Sequence, residues 1–355
     1  HEMGYVFEHL IRRFNESVNE NPGEHYTPRD PINLLVKIVA SLDKDLGEGH
    51  DVARTVADCC VGTGGILTIF KNRALDLNPN AQVFMYGQEL NPQTWAICRS
   101  DMMISDPTGK DADNIRQGST LSNDHFETLK FDYQFANPPY GTEWKVDKDD
   151  VEREAQRGFN GRFGAGLPSI NDGQLLFLQH MLSRMNDPQD KPSYIGVFFN
   201  GSPLFSGAAQ SGESEIRRWI LENDWLDTII GLPGQIFYNT GIATYLWILS
   251  NRKPEDRKNK VMLIDASGHE FWSPMKKNLG DKRREILEEH EQKIYDLFQS
   301  REQGKHVKIF DTTDFMYRRV QVERPLKLNF CNSSERIERL KEAKAFLNLA
   351  TSKKK

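Results

Sequence analysis

Cysteine is scarce in this chain: among 355 residues there are four, the vicinal pair Cys59-Cys60 and the isolated Cys98 and Cys331. No C-x-x-C spacing occurs, so a zinc ribbon and a thioredoxin-type dithiol are both excluded, and thiols placed this way make no convincing disulfide framework. Long apolar runs are missing as well. No stretch reaches the roughly 20 residues needed to cross a bilayer, and no charged-then-apolar leader opens the chain, which sets the expectation of a cytoplasmic protein without a membrane segment. His269-Glu270 lacks the second histidine of H-E-x-x-H and no carboxylate cluster suggests magnesium, so no metal site and no metal-assisted cleavage are expected. A basic excess is lacking too: 46 Lys and Arg against 51 Asp and Glu leave a net charge of −5, whereas a protein that grips DNA unaided usually carries a basic balance or stripe. The basic groups that do occur, Arg252-Lys253, Arg257-Lys258, Lys276-Lys277, Lys282-Arg283-Arg284 and Lys353-Lys354-Lys355, read as solvated faces.

What is present argues for one large α/β domain with appendages, since a chain of this length with 38% hydrophobic residues can bury a substantial core. The most informative stretch is Asn137-Pro138-Pro139-Tyr140, which follows the β-type run Phe131 to Ala136. Two prolines cannot extend a central strand, and Pro138 biases Asn137 toward extended geometry, so backbone carbonyls turn away from the sheet and become available as acceptors. An Asn oxygen and a neighbouring carbonyl can together take both hydrogens of one planar amino group, while the Tyr140 ring offers a face for a flat heterocycle. By itself Asn-Pro also starts ordinary turns.

Upstream, the strand Thr55-Val56-Ala57 leads into Asp58-Cys59-Cys60-Val61-Gly62-Thr63-Gly64-Gly65 and then a helical run from Ile66 to Asn72. Glycines permit a tight turn and close approach of a ligand, and the helix that follows presents unpaired N–H groups. The spacing is neither G-x-G-x-x-G nor a P-loop, which argues against a nucleoside triphosphate. One βα unit later the strand Val83 to Glu89 ends in a carboxylate, where a doubly wound fold reads ribose hydroxyls; a plain helix-terminal charge is the competing explanation. Asn91 then caps and Pro92 opens the next helix.

Around these motifs, the period of Val6, Leu10, Phe14 and Val18 predicts an opening amphipathic helix, and Asp30-Pro31 starts another with Leu34, Leu35, Ile38, Val39 and Leu42 on its apolar side. Residues 141–173, rich in charge and glycine, show no period and read as a structureless mobile loop. Helices are expected over Gln174–Met185, Glu215–Leu221, Asp281–Gln299 and Arg336–Leu349. Strands are expected over Tyr194–Phe199, Trp225–Ile230, Thr244–Leu249 and Val261–Ile264. The organisation expected is a helical lead-in over 1–50, a catalytic domain over 51–330 and a C-terminal helix with a lysine tail over 331–355.

Taken together the motifs resemble those of the modification (M) subunit of type I restriction-modification systems, DNA adenine-N6 methyltransferases that use S-adenosylmethionine (AdoMet). Gly23-Glu24-His25-Tyr26-Thr27-Pro28 resembles the family's G-E/Q-F/Y-Y/F-T-P segment, Asp58 to Gly65 its D-P-A-C-G-T-G-G, and Asn137 to Tyr140 its N-P-P-Y/F. Ile229 to Pro233 and Phe237 to Thr244 resemble its late L-P-x-x-x-F-x-x-T-G-I-x-T stretch. Cys59-Cys60-Val61 replaces Pro-Ala-Cys, and Ser119 stands where many relatives have an Asp.

The resemblance implies a Rossmann-like AdoMet-dependent methyltransferase fold with a mostly parallel central sheet flanked by helices. It implies catalysis by Asn137, Pro138, Pro139 and Tyr140. Cofactor contacts would come from Gly23, Glu24, His25, Tyr26, Thr27 and Pro28, from Asp58, Gly62, Thr63, Gly64 and Gly65, from Glu89, and from Ser119, Thr120 and Leu121. The implied partners are DNA with an adenine flipped from the duplex, a specificity (S) subunit, a second M subunit, and a restriction (R) subunit in the full complex. Affinity for DNA borrowed from such partners would reconcile the acidic chain with its motifs. Methylation of release-factor glutamine or of cytosine N4 also uses related tetrapeptides, and a non-catalytic scaffold could keep the fold. The Gly23–Pro28 and Phe237–Thr244 segments favour the adenine family, and the intact Asn137–Tyr140 and Gly62–Gly65 motifs argue against a scaffold.

Overall fold

A computed structural model of the chain describes residues 26–49, 51–106, 108–238, 240–318, 320–324 and 331–351. The expected helix over Val6 to Val18, together with Gly23, Glu24 and His25, lies outside them. The first part of the chain forms α1 (Arg29–Ala40), β1 (Ala53–Asp58), α2 (Gly65–Leu77), β2 (Gln82–Glu89), α3 (Pro92–Ser105), α4 (Lys110–Asp113), β3 (Ile115–Gln117) and β4 (Tyr133–Ala136). Then come α5 (Lys148–Ala155), α6 (Gln174–Ser183), β5 (Tyr194–Phe199), α7 (Ser202–Phe205), α8 (Gly212–Glu222), β6 (Leu226–Gly231), β7 (Tyr245–Ser250) and β8 (Lys260–Asp265). The hairpin of β9 (Ser273–Leu279) and β10 (Lys282–Glu285), the helix α9 (Glu288–Ser300) and β11 (Val307–Asp311) close this unit, which ends at Met316. A second compact unit from Tyr317 holds α10 (Ser334–Glu342) and α11 (Lys344–Thr351).

Among the described residues nine strands form one sheet in the order β11-β8-β6-β7-β5-β4-β1-β2-β3. The pairs β1–β2, β1–β4, β2–β3, β4–β5 and β6–β8 are parallel. Strand β7 runs antiparallel to β5 and β6, and β11 antiparallel to β8. The expected mostly parallel α/β sheet is therefore what the chain builds. Its central strands are buried on both faces, with Phe198 entering the core cluster that contains α1 and α2 and Phe199 the cluster that contains α6 and α8. Helix α1 lies so close to the sheet that a Cβ on Gly196 would stand 2.3 Å from Leu35 Cδ1, which explains a glycine inside a central strand.

Progress along the sheet reverses at β1, from which β2 and β3 build one way and β4 and β5 the other. Ligands of open α/β sheets bind at the strands' carboxyl ends at such a switch point. The register puts Asp58 beside Phe135, so the glycine turn and the Asn-Pro-Pro-Tyr turn leave neighbouring strands side by side.

Several sequence expectations need correction. Residues 141–173 are not structureless: they carry α5, and Trp144, Val151 and Phe163 form a small core of their own with Leu121 and Leu176. Periodicity missed this because Trp144, Val151 and Phe163 come from separate short stretches and meet Leu121 and Leu176 from outside the segment. The expected helix over Asp281–Gln299 begins only at Glu288; Lys282 to Glu285 pair with β9 across a turn in which Gly280 has φ 59°. The helix expected over Arg336–Leu349 is two helices, parted at Ala343 with ψ 131°. Lys253 and Lys282, read as solvated, are only 5% and 3% exposed. The Lys253 ammonium is satisfied by Asp224 and by the carbonyls of Leu226 and Lys260.

Candidate active site

The Asn137 carboxamide is held at both ends. Its Nδ2 donates to Thr27 Oγ1 at 2.9 Å, and its Oδ1 accepts the Tyr140 hydroxyl at 2.7 Å. Thr27 comes from the segment before α1, where Pro28 occupies the N-cap, so two segments distant in sequence fix one side chain. The Tyr140 ring meets Phe237 edge-on at 6.4 Å, and Phe237 in turn packs edge-on against Phe198 of β5 at 5.3 Å. Burial pushes the Tyr140 phenol well above its ordinary pKa, which keeps it a neutral donor to Asn137. Pro138 is buried and Pro139 exposed. Oδ1 of Asn137 retains a second lone pair for a further N–H.

The glycine turn after β1 is built by backbone geometry. Gly62 and Gly64 have φ of 54° and 82°, and a Cβ on Gly64 would come within 2.6 Å of Met102 Cε; such conformations favour glycine. Gly64 is the N-cap of α2, whose first turn carries no acidic side chain. Glu89 at the end of β2 braces the turn, its Oε2 accepting Gly62 N–H at 2.9 Å and its Oε1 accepting Asn91 N–H at 2.8 Å. Asn91 caps α3 through Gln93 and Thr94 N–H with Pro92 behind it, as the sequence predicts.

Asp58 is 2% exposed. Its Oδ1 accepts Cys60 N–H at 2.9 Å, while Oδ2 is buried without a partner among the described residues. Burial pushes its carboxyl up to about 7; the Cys60 N–H opposes this and the Glu89 charge adds to it. A buried acceptor costs free energy until a donor reaches it. Two carboxylates at this edge suit a cationic ligand and disfavour a phosphate.

Ser119, Thr120 and Leu121 lie past the end of β3. Ser119 Oγ accepts Leu121 N–H at 3.3 Å, and Thr120 Oγ1 donates to Cys59 O at 2.6 Å, which joins this segment to the glycine turn. Sequence reading missed the support beneath it. Arg162, 8% exposed, donates to Thr120 O at 2.6 Å and Leu121 O at 2.9 Å, and pairs with Glu154. His180 Nδ1 lies 3.1 Å from Arg162. Burial pushes the His180 imidazole down to about 3, so it is neutral and accepts from the guanidinium. Asp124, paired with Arg184, completes the cluster. Only the three-dimensional fold joins residues 124, 154, 162, 180 and 184, and no linear motif marks them.

The structure thus brings together Thr27, Asn137 and Tyr140 as one group, and Asp58, Gly62, Glu89 and Thr120 as an adjoining one. Phe237, conspicuous in the sequence only as part of the late motif, belongs with the first.

The profile of the N-6 DNA methylase family matches residues 1–324. The chain belongs to that family. It is 26% identical over 310 residues to the type I restriction enzyme MjaIX methylase subunit of Methanocaldococcus jannaschii, covering 85% of this chain and 50% of that protein. It is 29% identical over 268 residues to the HindI methylase subunit of Haemophilus influenzae, covering 74% and 54%. A solved type I restriction-modification methyltransferase subunit from Streptococcus thermophilus superposes with TM-score 0.68 at 27% identity, covering 87% of this chain and 60% of that one. A modification subunit of a putative type I enzyme from Vibrio vulnificus superposes with TM-score 0.62 at 18% identity, covering 89% and 61%, a likeness in fold alone. The fold is the Rossmann-like one of the AdoMet-dependent methyltransferases. The chain spans about half the length of the curated relatives it matches.

Proposed function

We propose that this chain carries the catalytic part of a type I modification subunit and transfers a methyl group from AdoMet to the N6 amino group of adenine in DNA. The observation that carries the reading is the Asn137 carboxamide, oriented by Thr27 and Tyr140 at a strand's carboxyl end beside a glycine turn lined by acidic groups.

The residues of that turn fit AdoMet. Gly62 and Gly64, at positive φ, make a tight turn without side chains of their own, Asp58 Oδ2 is a buried acceptor without a partner among the described residues, and the Glu89 carboxylate keeps lone pairs for ribose hydroxyls beyond the two backbone bonds it already accepts. Gly23, Glu24, His25, Tyr26, Thr27, Pro28, Ser119, Thr120 and Leu121 would complete the cofactor's surroundings. AdoMet, when bound, supplies an electrophilic sulfonium methyl and leaves as the neutral thioether S-adenosylhomocysteine, while adenine N6 gives up one proton to solvent.

Adenine N6 is a poor nucleophile because its lone pair is delocalised into the ring. Asn137 Oδ1 and the Pro138 carbonyl would accept its two N–H bonds, favouring the more tetrahedral nitrogen that develops as the new bond forms. Tyr140 would stack on the base while Pro139 shapes the turn. In-line displacement needs alignment more than a strong base, which suits a site beside which, among the described residues, the buried His180 is neutral and occupied by Arg162. A base inside a duplex cannot reach such a pocket, so the adenine would be flipped.

The net charge of −5 offers few phosphate contacts, so DNA affinity and sequence choice would come from a specificity subunit and a second M subunit, with a restriction subunit joining the full complex. Among the described residues no helix is long and apolar enough to cross a membrane. Action on cytoplasmic DNA in a bacterium or archaeon completes the reading. Incubation with methyl-labelled AdoMet, the specificity subunit, duplex DNA and a translation release factor tests it: label in DNA is expected, and label in the release factor alone overturns it.

A further inference from the structure

The hairpin β9–β10 joins two segments that the site depends on. Lys282 opens β10, and its Nζ lies 2.9 and 2.8 Å from the two carboxylate oxygens of Asp30, 3.0 Å from Ile236 O and 2.9 Å from Arg284 O. Asp30 Oδ2 also accepts Ile286 N–H at 2.9 Å. Asp30 sits in the first turn of α1, three residues beyond Thr27; Ile236 immediately precedes Phe237. One ammonium therefore ties the segment whose hydroxyl holds Asn137 to the segment whose ring holds Tyr140.

The rest of the hairpin presses on the same loop. Asp281 N–H donates to Tyr238 O at 2.9 Å and Arg283 N–H to Gln235 O at 2.9 Å. Gly280 at the tip packs so tightly that a Cβ there would stand 2.5 Å from Tyr238 O. A buried lysine is costly to keep charged unless its donors are all met. Here they are, by groups on both sides of the catalytic tetrapeptide, which a purely local structural role would not require.

We propose that Lys282 is a positioning residue for methyl transfer. Through Asp30 and Ile236 it sets the relation between Thr27 and Phe237, and so the alignment of the Asn137 carboxamide with the Tyr140 ring. The inference rests on the function proposed above, and Lys282 touches no substrate.

The test uses the chain with its specificity subunit and compares wild type with Lys282→Met, Lys282→Arg and Asp30→Asn, each rate normalised to the concentration of AdoMet-binding sites. Misalignment of a reacting group by about an ångström can cost on the order of a hundredfold. Lys282→Met should therefore lower kcat by about ten- to a hundredfold, with AdoMet Kd and the KM for DNA within about threefold of wild type. Lys282→Arg should recover part of the loss. The effect of Thr27→Val should be smaller in the Lys282→Met background than in wild type, because both act on the same carboxamide. If Lys282→Met fails to fold, Asp30→Asn tests the same link and should give the same kcat-selective loss. Wild-type kcat per site in the folded variants, or full additivity with Thr27→Val, overturns the proposal. Absence of label transfer by wild type would instead count against the function itself, which keeps the two failures distinct.

Discussion

The Tyr140 hydroxyl lies 2.7 Å from Asn137 Oδ1 and donates to it, so two residues of one tetrapeptide orient each other before any substrate arrives. The bond occupies one lone pair of the oxygen that would accept the target amine, and it fixes the direction of the other. Tyr140→Phe keeps the ring and its edge contact with Phe237 but removes this donor. The expected result is a kcat about tenfold lower, the worth of one hydrogen bond of roughly 1.4 kcal/mol, with AdoMet affinity unchanged by calorimetry. An unaltered kcat would leave the hydroxyl no part in orienting the carboxamide.

Glu89→Ala should weaken AdoMet by roughly 1.5–3 kcal/mol, the cost of losing hydrogen bonds to a charged acceptor. Part of that loss would come through Gly62, whose N–H the carboxylate holds. Glu89→Gln, which keeps one acceptor oxygen, should fall between. Calorimetry decides, and full affinity in the alanine variant would reduce Glu89 to a brace for the turn and the α3 terminus.

Asp58 makes stability depend on pH. Its carboxyl is raised to about 7 in the folded chain against about 3.9 for an unfolded aspartate. Across that window the unfolded state has released a proton that the folded state still holds, so stability falls as pH rises from about 4 to about 7 and changes no further through this group above that. Asp58→Asn should flatten the dependence. Urea denaturation of both proteins across the window checks it; identical pH profiles would show that Asp58 titrates normally.

The sequence announced the parts of the site that are contiguous. Strand, glycine turn and helix from Thr55 to Asn72 stand where expected because local chemistry dictates them: Gly64 is wanted at φ 82° whatever surrounds it. The Asn91 cap and the prolines at 138 and 139 are legible for the same reason. What stayed hidden depends on chain crossings. Lys282 sits in a run of three basic residues, and nothing local says that Asp30 waits for it. The Arg162 cluster draws on four other charged or titratable residues scattered between 124 and 184. The apolar residues of 141–173 close a core only when Leu121 and Leu176 arrive from elsewhere, so no period of 2 or 3.6 could reveal it.

Asn137, just past the end of β4, is proposed to direct a methyl group onto adenine N6. The most direct test of this central claim is the identity of the methylated nucleoside in duplex DNA after reaction with AdoMet, this chain and the proposed specificity subunit, read by mass spectrometry after enzymatic digestion. N6-methyladenine should form with wild type and should fall by about a thousandfold or more with Asn137→Ala, while AdoMet binding persists. N4-methylcytosine as the product, no methylated nucleoside from wild type, or near-normal N6-methyladenine from Asn137→Ala would contradict the account.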